Sequence, residues 1–237
     1  MSFYRVLHSG PLEKGVRNLW KQYQEKPVRH IRQLWRLWKF HREFDITSPN
    51  FDDWDYSFPE GRLPDCENCL ENCCNGPTNT VLLRLVDVAR FVDKGWTDKF
   101  TQEKPVFSES FLQERPKLRA MVRSFHWRVF PVLKQNEAGR CILLQEDNKC
   151  SIHKDRPWVC RTFPYHLDIG NQTFSWSTRC KTFTQEKEHH PETQKMARTS
   201  FDNFYTEKIR DLVLVTIYRE ELVKLGLGKW LQFDEEK

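Results

Sequence analysis

Apolar residues recur at helical spacing over most of this chain. From Thr80 to Lys94, Val81, Leu82, Leu85, Val88, Ala89 and Val92 fall on one pattern that stops at Gly95, which predicts a core helix with a glycine end. From about Pro191 to Leu225 the repeat returns through Phe201, Phe204, Tyr205, Ile209, Leu212, Val213, Val215, Thr216, Ile217 and Leu222, and Gly226 closes it. This long helix is expected to pack over a small sheet. Pro27 suits the first position of another helix running to about Glu43, with Val28, Ile31, Leu34, Trp35 and Trp38 on one side. A further helical stretch is predicted over Glu109 to Phe125, interrupted or restarted near Pro116, before a β-prone run from Phe125 to Leu133.

Between the helices the pattern shortens. Asp45 to Pro64 mixes Asp, Pro, Ser and aromatic residues without a period and reads as an ordered linker; Asn75-Gly76-Pro77 reads as a turn. Cys141-Ile-Leu-Leu-Gln-Glu-Asp-Asn-Lys-Cys150 predicts a strand, an Asp147-Asn148 turn and a return strand, a hairpin that brings Cys141 and Cys150 close. A second hairpin is predicted from Tyr165–Ile169 and Gln172–Thr178 around Gly170-Asn171, delivering Cys180 back toward Cys160. There are no internal repeats or low-complexity tracts.

A chain of 237 residues with nine Trp and seventeen Phe can bury one substantial core, so one core domain with terminal helices is expected. No run approaches the ~18 consecutive apolar residues of a membrane span. The net charge of +5 is uneven. Residues 1–50 hold ten Lys/Arg against four Asp/Glu, whereas the rest of the chain holds 28 against 29. In the basic arm, Arg29, Arg32, Arg36 and Lys39 run parallel to the Trp-bearing face. Such a helix can lie on an anionic membrane surface, contact nucleic-acid phosphates, or dock on its own domain with the basic stripe solvated. Docking is the reading taken here.

The chemistry is carried by eight cysteines: Cys66-x2-Cys69-x3-Cys73-Cys74, then Cys141, Cys150, Cys160 and Cys180. A two-residue gap lets a turn aim Cys66 and Cys69 at one ion, which is half of a tetrahedral thiolate site. The later gaps are too long for a second knuckle, so the fold itself must gather those ligands. Adjacent Cys73 and Cys74 point to different sides of an extended chain. One is expected to complete the set with Cys66 and Cys69; the other reaches a second metal or packs as a buried thiol. A disulfide framework is the alternative. The opening residues Met1–Gly10 have no apolar h-region and no small-residue cleavage site, so a cytoplasmic setting with reduced thiols is expected.

These cysteines and their neighbours, Gly139-Arg140-Cys141, Lys149-Cys150-Ser151-Ile152-His153-x-x-Arg156-Pro157-x-x-Cys160-Arg161-x-Phe163-Pro164 and Arg179-Cys180, resemble the YkgJ-like cysteine-cluster family. That family is described as a zinc- or iron-chelating domain of CxxCxxCC type. The resemblance covers all eight cysteines, from Cys66 to Cys180, and implies that they are the metal ligands. It departs in the first cluster, where Leu70-Glu71-Asn72 stand in place of two residues and the glycine often found there is missing. The family is similar in turn to the cysteine-rich part of flagellin lysine N-methylases, which implies an iron–sulfur cluster and methyl transfer from S-adenosylmethionine to a protein lysine. The chain has no G-x-G-x-x-G loop to cradle that cofactor.

Arg156, Pro157 and Arg161 bracket Cys160. The guanidinium groups either lower thiolate pKa and offset the charge of the site, or bond carbonyls of a tight turn at Pro157. His153 is an alternative ligand in a mixed site. His189-His190 fits a solvated loop, and nothing matches H-E-x-x-H, a Ser-His-Asp set or a P-loop. Asp87, Asp93 and Asp168 lie near the motifs without an acid–base role that the sequence can assign.

The expected fold class is α+β, mostly helical, with small antiparallel hairpins carrying the later cysteines and core and C-terminal helices packed around a cysteine metal site. Residues 1–50 form a basic Trp-rich N-terminal helical arm, 51–185 the cysteine-cluster metal-binding domain and 186–237 a C-terminal helix packing on it. The cofactor is an iron–sulfur cluster or zinc, in one or two sites, with irregular spacing and nearby arginines favouring the cluster. Three function classes follow. The first is a structural clasp in an accessory protein that docks a protein partner; the second is a cluster-dependent modifying enzyme such as a protein lysine N-methylase. The third is a redox or metal-handling protein. The clasp ranks first, because it requires no residues beyond those seen.

Overall fold

The computed structural model describes residues 2–8, 10–25, 50–57, 80–103, 113, 130–168, 171–176, 180 and 191–230. The helices expected over Pro27–Glu43 and, apart from Gln113, over Glu109–Phe125 lie outside the described residues, as does the turn at Asn75-Gly76-Pro77. The fold is α+β: among the described residues, helices are accompanied by a three-stranded and a two-stranded sheet. No described helix is long and apolar enough to cross a membrane. The chain divides into two compact units, each built from separated stretches: 1–47, 82–132 and 207–237 in the first, 48–81 and 133–206 in the second.

The first unit gathers α1 (Phe3–His8), α2 (Gly10–Glu25), α3 (Leu85–Asp93), the C-terminal part of α5 (Pro191–Ile217) and α6 (Arg219–Lys224). Its core is Leu7, Val16, Leu85, Ala89, Ile209, Val213, Leu214, Leu222 and Leu227. Both α3 and α6 stop in the same way. Trp96 N donates to Phe91 O at 2.8 Å and Gly95 N to Val92 O at 3.0 Å, with Gly95 at φ +72. Leu227 N donates to Leu222 O at 3.0 Å and Gly226 N to Val223 O at 2.9 Å, with Gly226 at φ +81. Each is a Schellman stop, with an apolar pair across it: Phe91 against Trp96, and the fully buried Leu222 and Leu227.

Helix α3 begins later than its apolar pattern suggests. Val81 to Arg84 run extended, with Leu82 bridged antiparallel to Val132 and Leu83 N bonded to Pro131 O. The helix starts where Asp87 Oδ2 turns back to accept Arg84 N at 3.1 Å, the N-terminal signal of a first-turn acid. The expected β-prone run contributes β3 (Phe130–Leu133), which pairs with β2 (Phe100–Glu103).

Charged residues are placed inside this unit with their partners. Arg210 donates from Nε to Glu13 Oε2 at 3.0 Å and from Nη2 to Glu13 Oε1 at 3.1 Å, and also bonds Glu207, which faces His8 Nε2 at 3.2 Å. Burial raises the Glu13 carboxyl, but Arg17 and Arg210 outweigh it and hold it below its ordinary value. Asp93 receives Phe3 N at 2.7 Å and Tyr4 N at 2.8 Å, so it closes the open N-terminus of α1 from 90 residues away.

The second unit is aromatic. Strands β4 (Tyr165–Asp168) and β5 (Thr173–Trp176) form the expected hairpin, in register Tyr165↔Trp176 to Asp168↔Thr173. Asp168 makes the turn by accepting Asn171 N at 3.1 Å and Asn171 Nδ2 at 2.7 Å. The two-residue β1 (Asp55–Tyr56), inside the predicted linker, adds to β5 in parallel. Phe174 is wholly buried at the centre, with ring centroids 4.9 Å from Tyr56, 5.3 Å from Phe51 and 5.5 Å from Trp54. Ala197, Phe201 and Tyr205 of α5 close the same cluster, so the long helix does pack over the small sheet.

Candidate metal centre

The segment that carries Cys141, Cys150 and Cys160 is made of tight turns rather than strands. Asn136 opens it: its Oδ1 accepts Ala138 N at 3.1 Å and Arg140 N at 2.9 Å, and its own N donates to Arg140 O at 2.8 Å. Gly139, at φ +73, supplies the left-handed residue this turn requires. The chain then turns again at once, with Leu144 N bonded to Cys141 O at 3.0 Å, and a third time, with Asn148 N bonded to Gln145 O at 3.1 Å and Asn148 at φ +65. Asparagine tolerates that conformation better than other side chains do.

The expected hairpin is present in a shorter form, with Gln145 N bonded to Lys149 O and Ser151 N to Leu143 O around its turn, and Cys141 stands outside it. Cys141 is bridged to Gln135, and Cys150 to Leu144, so the two cysteines are not cross-strand partners. The turn at Cys141–Leu144 leaves no room for a strand between the flanking turns. The Asp147-Asn148 turn itself is present. Leu143 and Ile152 are buried and anchor the segment, while Ser151 N and Oγ both bond Leu143 O at 2.9 Å.

Beyond Cys150 a single 3-10 turn, His153–Asp155, is fastened by the arginines singled out in the sequence. Arg161 donates from Nε to Arg156 O at 2.9 Å and from Nη2 to Lys154 O at 3.0 Å, and its guanidinium lies 4.8 Å from the Trp158 ring centre. Arg156 Nη1 approaches His153 Nε2 at 2.6 Å and His153 O at 3.3 Å. A guanidinium can only donate, so His153 Nε2 accepts and the ring proton sits on Nδ1. That bond occupies the nitrogen through which His153 would most simply join a metal.

Pro157, at φ -55, precedes the short helix α4 (Trp158–Thr162), which carries Cys160. Pro157 O accepts Cys160 N at 2.9 Å and Arg161 N at 3.1 Å. A cis Phe163-Pro164 bond leads into β4. Tyr165 pairs with Trp176 at the open end of the hairpin, five residues after Cys160 and four before Cys180 in sequence.

Cys141, Cys150, Cys160 and Cys180 are all half-buried. Cys66, Cys69, Cys73 and Cys74 lie outside the described residues. Among the described residues no group of three or more His, Cys, Asp or Glu is assembled as a metal-binding set. The donor chemistry still fits a thiophilic metal: four half-buried thiols, three of them on a turn-rich segment whose backbone is fixed by its own hydrogen bonds. The three aspartates left unassigned by sequence are all structural: Asp87 and Asp93 serve helix starts and Asp168 a turn.

Sequence reasoning missed Arg140 as a structural residue. Its Nη2 bonds Gln145 O and Asn148 Oδ1, the latter at 3.1 Å, so the residue before Cys141 reaches the turn before Cys150. The signal was an arginine between a turn glycine and a cysteine, eight residues before an asparagine in a later turn.

A family model described as "Putative zinc- or iron-chelating domain", of CxxCxxCC type, matches residues 65–192, more than half of the chain and all eight cysteines. No curated protein and no solved structure matches the chain.

Proposed function

We propose that this chain, which belongs to the CxxCxxCC family of zinc- or iron-chelating domains, is an accessory protein in which a cysteine-held metal clasps distant segments and a protein partner docks on the clasped fold. Cys66 and Cys69, with Cys73 or Cys74, supply one part of the ligand set, and Cys141, Cys150, Cys160 and Cys180 the rest. When bound, zinc supplies a closed structural tie, and an iron–sulfur cluster adds one-electron chemistry. The irregular spacing favours the cluster.

The observation that carries this reading is the coincidence of the family match with all eight cysteines, four of which are half-buried. Closing long loops is where a clasp stabilises most, and 39 to 114 residues separate Cys141 from Cys180 and Cys66 from Cys180. Arg156 holds the His153 carbonyl and Arg161 those of Lys154 and Arg156, which keeps the turn before Cys160 in place before metal arrives.

Cys69→Ser and Cys160→Ser test the ligand set, one in each half. Both variants are expected to bind less metal and to melt at lower temperature than the parent. Full metal content in both would remove these residues from the set and the clasp with them.

A further inference from the structure

The geometry points to Arg140 as a positioning residue that couples the Cys141 and Cys150 turns into one unit before any metal binds. The coupling uses both ends of the residue. Its backbone belongs to the first turn, with N on Asn136 Oδ1 at 2.9 Å and O accepting Asn136 N at 2.8 Å. Its side chain belongs to the third, with Nη2 on Gln145 O and on Asn148 Oδ1.

Gln145 O is the carbonyl that also closes this third turn, through Asn148 N at 3.1 Å. Lys149 O in turn accepts Gln145 N at 2.9 Å, and Cys150 follows directly. Cys141 follows Arg140 directly as well. Two ligand positions nine residues apart are thus joined by one guanidinium, which adds a side-chain tie to the short antiparallel bonds Gln145 N to Lys149 O and Ser151 N to Leu143 O. A planar, permanently charged donor group suits the task, because it can meet a carbonyl and an amide oxygen together with little loss of side-chain freedom.

The consequence is pre-organisation. Without the tie, the Cys141 turn must be set against the Cys150 turn partly at the expense of the binding energy; with it, that part of the ordering is already done. Groups that orient a metal ligand typically change affinity by ~10–100-fold when removed. The affinity arm of the test rests on the metal-binding reading above, whereas the exchange arm does not.

The experiment uses the full chain and zinc(II) alone, in competition with a chromophoric chelator. Arg140→Met keeps the stem and removes every donor. It is expected to bind zinc at least ~10-fold more weakly, while the metal-free protein melts close to the parent. Amide exchange in the metal-free variant should quicken at Asn136, Gln145 and Asn148 and remain unchanged in the Tyr165–Trp176 hairpin. Asn148→Asp keeps an acceptor and the tolerance for positive φ, and should bind zinc as the parent does. Parental exchange at the three turn amides in Arg140→Met would overturn the inference, and so would a loss of affinity matched by faster exchange across the hairpin. If the parent binds neither zinc nor iron, the proposed function fails, and turn exchange alone decides the role of Arg140.

Discussion

Asp211→Asn should change how stability depends on pH. Asp211 is half-buried in the first unit with its carboxyl group turned inward; its Oδ2 accepts Leu85 N at 3.0 Å, at the start of α3, while Oδ1 is buried without a hydrogen-bond partner. Burial pushes its carboxyl up to about 7, with Arg84 and the Leu85 N–H opposing the shift and Glu207 and Asp87 adding to it. The unfolded chain releases this proton near ~3.9. Between those values the folded state binds more protons, so this group's contribution is fully present below pH ~4 and is lost as pH rises through about 7. About three units at ~1.4 kcal/mol each set the loss on the order of 4 kcal/mol. An asparagine keeps an acceptor for Leu85 N. Its NH2 lies one turn from Glu207, whose Oε2 is also buried without a partner. Urea unfolding of both proteins from pH 4.5 to 8.5, at fixed metal loading, measures the difference. The variant should gain on the parent as pH rises to about 7 and hold that gain above it; curves parallel over the whole range would refute the assignment of the buried proton to Asp211.

Three further outcomes follow from the packing. Phe174→Ala removes the ring shared by Phe51, Trp54, Tyr56 and Phe201 and should cost ~3–5 kcal/mol in denaturant unfolding. Asp93→Ala uncaps α1 and should cost ~1–2 kcal/mol, with faster amide exchange at Phe3 and Tyr4 as the local signature. Arg210→Met leaves Glu13 and Glu207 buried without their shared cation and should cost ~3–5 kcal/mol, recovered in part by Glu13→Gln in the same chain.

Features decided within a few residues were legible in the sequence. Gly95 and Gly226 end helices because only a residue content at positive φ completes a Schellman stop, and the turn at Asn171 separates two alternating runs. Features decided by distant contacts were not. The pattern over Val81–Arg84 is helical, yet those residues run extended beside Pro131 and Val132. Within the expected helical arm, Phe3–His8 and Gly10–Glu25 were not placed beside the stronger Pro27–Glu43 repeat, although Leu7 and Val16 are core residues. Glu13 reads as a surface acid until Arg210, 197 residues away, is placed against it. The cysteine segment has its own lesson. Three successive turns can be written in residues whose apolar run, Ile142-Leu143-Leu144, looks like a strand, because each turn depends on one polar contact rather than on a period.

The clasp is answered most directly by elemental analysis with a visible absorption spectrum, on protein purified without oxygen. The account predicts one or two metal sites per chain, either iron with acid-labile sulfide and a broad band near ~400 nm or stoichiometric zinc in a colourless sample. A well-folded chain that holds neither metal, and gains no thermal stability when zinc or iron with sulfide is supplied, would contradict it.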